Sequence, residues 1–348
     1  MQEGAKSWRP RTRHQIIIGV TIAILAAAVV LALTQLNLSQ VWRSLTHAKP
    51  GWVIAALVLM ATSLFTRGLS WIQVLEAALP RTPIPRASVI RATMIGVMGS
   101  AVFPARVGEA ARIVLITRRL EGRDRTLLPV VAGTVFSQTL INIGALAILA
   151  AAALSGIPAL HGKLGGLSGV LIVPALLVVL VLAGPSVLRL ARRSRSERVA
   201  AAAATVANVL ALGRSGLTVF ASPRHGPAAV AAQLVAWTLQ WLACWALLEA
   251  LSLHTTSNAV TAAGVLLAVN ASAVLPATPA NVGVFQAACI AVLAAAGVGA
   301  GIGLAYGILL QAVELVTAFM LGVPALLREG LGWRDLRSGL RSQATEPL

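Results

Sequence analysis

The feature that most constrains this chain is the length of its unbroken apolar runs. Six of them, at 16–33, 52–72, 126–154, 166–188, 226–252 and 302–327, come close to or exceed the length a helix needs to cross a bilayer. At about 1.5 Å per residue, about 20 residues cover a hydrocarbon core of roughly 30 Å. Backbone N–H and C=O groups in lipid find partners only within their own helix or in a closed barrel, and runs this long are helical. Hydrophobic residues make up 57% of the chain and charged residues 11%, with a mean hydropathy of +0.84, which is more apolar surface than a soluble domain can bury. The expected fold is an all-α polytopic membrane protein with six full crossings.

Two further apolar stretches, 88–119 and 258–298, are interrupted by Pro104 and by Pro276 and Pro279. Proline removes a backbone donor and clashes with the preceding turn, so each stretch reads as a helical hairpin. The phrases around the breaks are nearly the same. Ser100-Ala101-Val102-Phe103-Pro104-Ala105 returns as Ser272-Ala273-Val274-Leu275-Pro276-Ala277, 172 positions later in a chain of 348, and each is followed by Val-Gly, at Val107-Gly108 and Val282-Gly283. A repeat at half the chain length predicts a duplicated unit around broken helices, a recurring plan of transporters.

Charge sets the orientation. The 28 Lys+Arg against 11 Asp+Glu give a net +17, which on a soluble chain would point to nucleic acid. Here the cations lie in tails and loops between apolar runs, so no nucleic-acid partner is expected. The N-terminal tail, the 81–91 and 118–125 loops, the 189–224 segment and the C-terminal tail are arginine-rich and belong on the cytoplasmic side, while the other side keeps only Arg43, Lys49 and Lys163. The first hairpin then enters from the cytoplasm and the second from outside. Each half reads as helix, helix, hairpin, helix, which inverts the second copy relative to the first. The arms, at about 16 to 18 residues or roughly 24 to 27 Å, fit re-entrant helices and short spanning ones alike.

The chain accordingly divides into a basic cytoplasmic tail (1–15), a first membrane repeat (16–188), a basic cytoplasmic connector (189–225), a second membrane repeat (226–327) and a cytoplasmic tail (328–348). The 16–33 run follows Lys6, Arg9, Arg11 and Arg13 but is long for a signal-peptide core and lacks a small-residue cleavage site, so it reads as a membrane anchor. The connector, with Arg192, Arg193, Arg195 and Arg198, fits an interfacial helix on anionic headgroups as well as a solvated link.

Ionisable residues inside the membrane are the informative ones, because an unpaired charge there costs roughly 3 kcal/mol or more. Arg67 and Glu249 fall near the ends of their spans, where snorkelling accounts for them. Glu314 lies about 12 residues into its span, near mid-membrane, with Gln311 one turn earlier; it is a candidate for coupling or for pairing with an arginine. The richest cluster is Arg106, Glu109 and Arg112, directly after Pro104. Their spacing of three puts them on one helical face with alternating sign, beside a helix start whose free N–H groups suit phosphate. An anion site and an internal salt bridge both fit. After the second break the corresponding groups are neutral: Thr278 and Asn281, with Gly108 and Gly283 allowing close approach in the two halves.

Trp237, Trp241 and Trp245 recur every four residues and read as a packing stripe. Cys244 and Cys289 lie in apolar helices and read as small packing residues. The five histidines lie in tails or loops without paired spacing, so no metal is expected, and no nucleophile–base pair or carboxylate cluster marks a catalytic residue. No cofactor is expected.

The run Pro104-Ala-Arg106-Val-Gly108-Glu109-Ala-Ala-Arg112, with the later Pro276-Ala-Thr278-Pro279 and Val282-Gly283-Val-Phe285, resembles the lysylphosphatidylglycerol synthase transmembrane family, over about residues 15 to 330. That is a flippase-like domain found alone or fused to lipid-modifying domains. The chain departs from the family pattern at Pro279-Ala280-Asn281, where Pro-Gly-Gly is usual. It also carries Gln286 in place of a glutamate, and Ser137-Gln138 in place of an acidic–basic pair. The resemblance implies handling of an anionic or modified phospholipid or a lipid-linked molecule, without a soluble aminoacyl-transferase domain. High Ala and Arg usage suggests a GC-rich bacterial genome. The expectation is a lipid flippase in the bacterial inner membrane, multi-pass, with both termini cytoplasmic and not an enzyme. The alternative is a membrane enzyme, or an accessory subunit of a partner synthase or glycosyltransferase in lipid or envelope glycolipid synthesis.

Overall fold

A computed structural model describes residues 38–102, 107–121, 127–155, 217–255, 257–272 and 281–330. Among these residues every regular element is a helix: α1 (Leu38–Thr46), α2 (Pro50–Ala78), α3 (Arg86–Val102), α4 (Val107–Glu121), α5 (Leu128–Ser155), α6 (Thr218–Ala221), α7 (His225–Ala250), α8 (Asn258–Ser272), α9 (Val284–Ala295) and α10 (Ala300–Arg328). Four of them, α2, α5, α7 and α10, are long and apolar enough to cross a membrane. They correspond to the runs expected at 52–72, 126–154, 226–252 and 302–327. The runs at 16–33 and 166–188 lie outside the described residues, as do the N-terminal tail, the C-terminal tail beyond residue 330 and most of the connector.

The prolines expected to break the two hairpins, Pro104, Pro276 and Pro279, lie outside the described residues, and a helix is described on either side of each stretch. Helix α3 ends at Val102 and α4 begins at Val107; α8 ends at Ser272 and α9 begins at Val284. The described parts of the arms are 17, 15, 15 and 12 residues long, about 18 to 26 Å of helix.

The helices α2 and α7 pack along their lengths, antiparallel. The Ser63 hydroxyl donates to the Ala236 carbonyl and the Ser70 hydroxyl to the Ala229 carbonyl, each at 2.9 Å, so seven steps forward on one helix are seven back on the other. The remaining contacts follow a pattern. Where α2 packs on α3, α7 packs on α8; where α3 meets α4 and α10, α8 meets α9 and α5; where α2 meets α5 and α10, α7 meets α10 and α5; and α4–α5 is matched by α9–α10. The bounds of α2 to α5 return in α7 to α10 after 170 to 177 positions.

Small residues set these crossings. A Cβ on Gly303 would stand 3.2 Å from the Ile290 Cα, and one on Gly307 3.3 Å from the Gln286 Cα, so this Gly-x-x-x-Gly face lets α10 lie directly against α9. The outer surface is apolar: Ile54, Val58 and Phe65 on α2, Val235 on α7, and Val316, Phe319 and Met320 on α10 are exposed, as lipid-facing positions should be.

The buried apolar residues fall into two clusters at opposite ends of the bundle. One gathers Met60, Ala145, Trp237, Leu247, Phe285 and Val313; the other gathers Trp71, Leu75, Ile95, Ile141, Ala229 and Leu326. Between them runs a polar belt: Ser63, Arg67 and Ser70 on α2, Gln138 and Asn142 on α5, Gln233 on α7 and Thr317 on α10.

Candidate functional site

Helix α4 brings further charges to the belt. Helix α4 starts at Val107, so Glu109 falls in its first turn, where the helix dipole favours an acid. Three residues on, Arg112 is buried and ion-paired with Glu109, and its guanidinium carbon stands 4.7 Å over the Trp71 ring of α2. The Arg112 Nε is buried without a hydrogen-bond partner. The salt bridge expected as one reading of the Arg106, Glu109, Arg112 motif therefore forms between its last two members, and it leaves donor capacity unused. Arg106 lies outside the described residues.

Gly108 serves packing. A Cβ there would run into the Gly96 carbonyl of α3, with the Ser100 hydroxyl also close, so the two arms approach through Gly108 and its α3 neighbours Gly96 and Gly99.

The second break is built differently. Asn281 and Gly283 have φ of 57° and 89°, left-handed values that asparagine tolerates and glycine adopts freely. Gly283 is the N-cap of α9, and its N–H donates to Gln286 Oε1 at 2.7 Å. The Gln286 amide in turn donates to Gln311 Oε1 on α10, one turn before Glu314. The Asn281 Oδ1 is buried without a partner. Thr278 lies outside the described residues.

Arg67 of α2 is the belt's other cation. Its guanidinium carbon lies 4.8 Å over the Trp237 ring, and both Glu314 and Glu109 act on it electrostatically, as does the like charge of Arg112. Glu314 is half-buried and interacts with Arg67 electrostatically, with no direct ion pair between them. The snorkelling expected for Arg67 is not what the fold does: the side chain turns inward onto an aromatic face. Trp71, four residues away on the same helix, marked the position, but only the packing of α7 against α2 shows which ring receives the cation. Glu249 is also engaged locally, accepting from Asn258 Nδ2 at 3.0 Å. The tryptophan stripe packs inward: Trp237 is buried, Trp241 donates to the Ala259 carbonyl at 2.8 Å, and Trp245 meets Trp52 edge-on. Cys244 and Cys289 are buried in the apolar core.

The belt thus brings together two arginines on tryptophan faces, two carboxylates and a set of amides, about midway along the long helices. Cations held this way, with N–H groups unpaired, can accept an oxyanion. No groups of three or more His, Cys, Asp or Glu positioned for a metal occur among the described residues.

Residues 16–322 match the family described as lysylphosphatidylglycerol synthase TM region, and the chain belongs to that family. No curated protein matches the chain at a significant level.

Proposed function

We propose that this protein carries a phosphate-bearing lipid, an anionic or modified phospholipid or a lipid-linked molecule, across the bacterial inner membrane. Both termini are then cytoplasmic. The observation that carries this reading is the inward-turned pair Arg67 and Arg112, each stacked on a tryptophan, each with a buried Nε lacking a partner, and within electrostatic reach of one another. Like charges are held together in an apolar bundle at a cost, which an anionic headgroup offsets.

In this reading the phosphate sits between the two hairpin breaks. Arg112 and the start of α4 face it from one half, and Asn281 and Gly283 from the other; Arg106 and Thr278 are assigned to the same site from their place in the sequence motifs alone. Glu109 orients Arg112, and Glu314 is the resting counter-charge of Arg67, released when the phosphate arrives. That exchange leaves Glu314 free to take a proton, which would couple the cycle to a proton gradient. The two halves act as inverted repeats that rock about the α2–α7 crossing. The matched packing of α2 to α5 and α7 to α10 supports this, as does the antiparallel contact of Ser63 with Ala236, 173 positions apart. The short hairpin arms act as re-entrant helices. Moving a lipid unaltered makes the protein a carrier and not an enzyme.

The test is headgroup translocation in proteoliposomes. Arg112→Ala and Arg106→Ala should each slow transfer at least about tenfold, the effect of losing one charge-assisted contact of about 1.4 kcal/mol. Wild-type rates in both variants would refute the site.

A further inference from the structure

The polar belt holds more groups than phosphate recognition uses. On α5, Gln138 and Asn142 stand one turn apart; on α7, Gln233 and Trp237 do the same; Arg67 of α2 closes the circle. Gln138 Nε2 donates to the Arg67 carbonyl at 3.1 Å, Gln233 Nε2 to Asn142 Oδ1 at 2.6 Å, and Trp237 Nε1 to the Asn142 carbonyl at 3.2 Å. With Arg67 over the Trp237 ring, these five side chains form one contiguous cluster.

The nitrogens of its two glutamines are engaged, while their oxygens are idle. Gln138 Oε1 and Gln233 Oε1 are buried with no hydrogen-bond partner, in residues only 6% and 1% exposed, and the adjoining Ser137 hydroxyl and Arg67 Nε are also unpartnered. Buried polar groups are nearly always paired, because leaving them unpaired forfeits their hydration without return. Several in one cluster mark a place built for an occupant. The cluster lies roughly 12 to 16 Å in from the arginine-rich ends of α2, α5 and α7.

The chemistry of the idle groups selects the occupant. Amide oxygens accept and cannot donate, and the Ser137 hydroxyl does both. Hydroxyl groups answer all of these, since each donates one bond and accepts others. A quaternary ammonium has no donor, and a primary ammonium has no lone pair for the Ser137 hydroxyl and would stand beside the positive charge of Arg67.

We propose that Gln138, Gln233 and Ser137 form a neutral subsite for the hydroxyl groups of a polyol or sugar headgroup, whose phosphate is held next to it by Arg67 and Arg112. This rests on the transport reading for the phosphate position only.

Binding to the full chain in nanodiscs, followed by native mass spectrometry, tests it with four probes of identical acyl chains: phosphatidic acid, phosphatidylglycerol, phosphatidylinositol and phosphatidylethanolamine. The two hydroxylated lipids should bind at least about tenfold more tightly than phosphatidic acid, the return on one or two well-placed hydrogen bonds. Phosphatidylethanolamine should bind no more tightly than phosphatidic acid. Gln138→Leu and Gln233→Leu should each cut the hydroxyl advantage to about threefold or less and leave phosphatidic acid binding unchanged. Gln138→Met and Gln233→Met keep side-chain length and replace any leucine variant that fails to fold. Equal binding of all four lipids, preference for phosphatidylethanolamine, or equal weakening of every lipid by the glutamine variants would overturn the subsite. Failures of the two readings differ. Selective binding of hydroxylated lipids without translocation in proteoliposomes sinks the transport reading alone, and translocation without headgroup discrimination sinks the subsite alone.

Discussion

At the scale of single residues, two glycines inside helices separate packing from propensity. Gly108 lies where α4 crosses α3, and a Cβ there would meet the Gly96 carbonyl, a backbone atom that moves only with its helix. Gly144 of α5 has nothing within 4 Å of the position its Cβ would take. Gly108→Ala should therefore destabilise the protein by about 1–3 kcal/mol through overpacking. Gly144→Ala should be neutral or stabilise it by up to about 1 kcal/mol through helix propensity. Thermal unfolding in detergent compares the two, and a Gly108→Ala protein as stable as wild type would contradict the close hairpin crossing. The sequence singles out Gly108 through its motif but not its neighbour across the hairpin, since Gly96 carries no mark in the apolar run.

Between elements, the clearest polar fastening is at the end of α10. Glu329, immediately after the helix, is buried; Arg91 of α3 donates to its Oε1 at 2.6 Å and Arg119 of α4 to its Oε2 at 2.8 Å. One carboxylate thus ties α10 to both arms of the first hairpin. Burial pushes its pKa up, but the hydrogen bonds from Arg91 and Arg119, with their charges, outweigh this and hold the carboxyl below its ordinary 4.5. A lowered folded value means that the contribution to stability is complete above the unfolded value and is lost as pH falls through the folded one. Glu329→Gln should cost about 1–2 kcal/mol at neutral pH, less than a fully buried pair because both arginines reach solvent. The gap between variant and wild type in melting experiments should close as the pH is lowered below 4.5 towards the folded value. A gap independent of pH would show that Glu329 acts by packing. Nothing in the sequence flags this residue: it sits in an arginine-rich end that reads only as topology.

For the whole molecule, the antiparallel α2 and α7 fix which loops share a face. The loop after α2 and the start of α7 are on one side, and the loop after α7 is on the other. In a chain with Cys244 and Cys289 replaced, Pro83→Cys should react with a membrane-impermeant maleimide only from the cytoplasmic side, and His254→Cys only from outside. Labelling of both from one side would break the orientation and the inverted-repeat reading with it.

The sequence by itself determined the long helices. Apolar length demands helices in lipid, so α2, α5, α7 and α10 are local consequences of composition and order. Which polar groups meet was decided by tertiary structure. Arg67 reads from its depth as a snorkelling residue, and Gln138 only as a departure from a family pattern. Gln233 and Asn142 are isolated amides in apolar runs. They become one cluster because α2, α5 and α7 cross at those residues, and the partner of a buried polar group is set by neighbouring helices, not by spacing along its own.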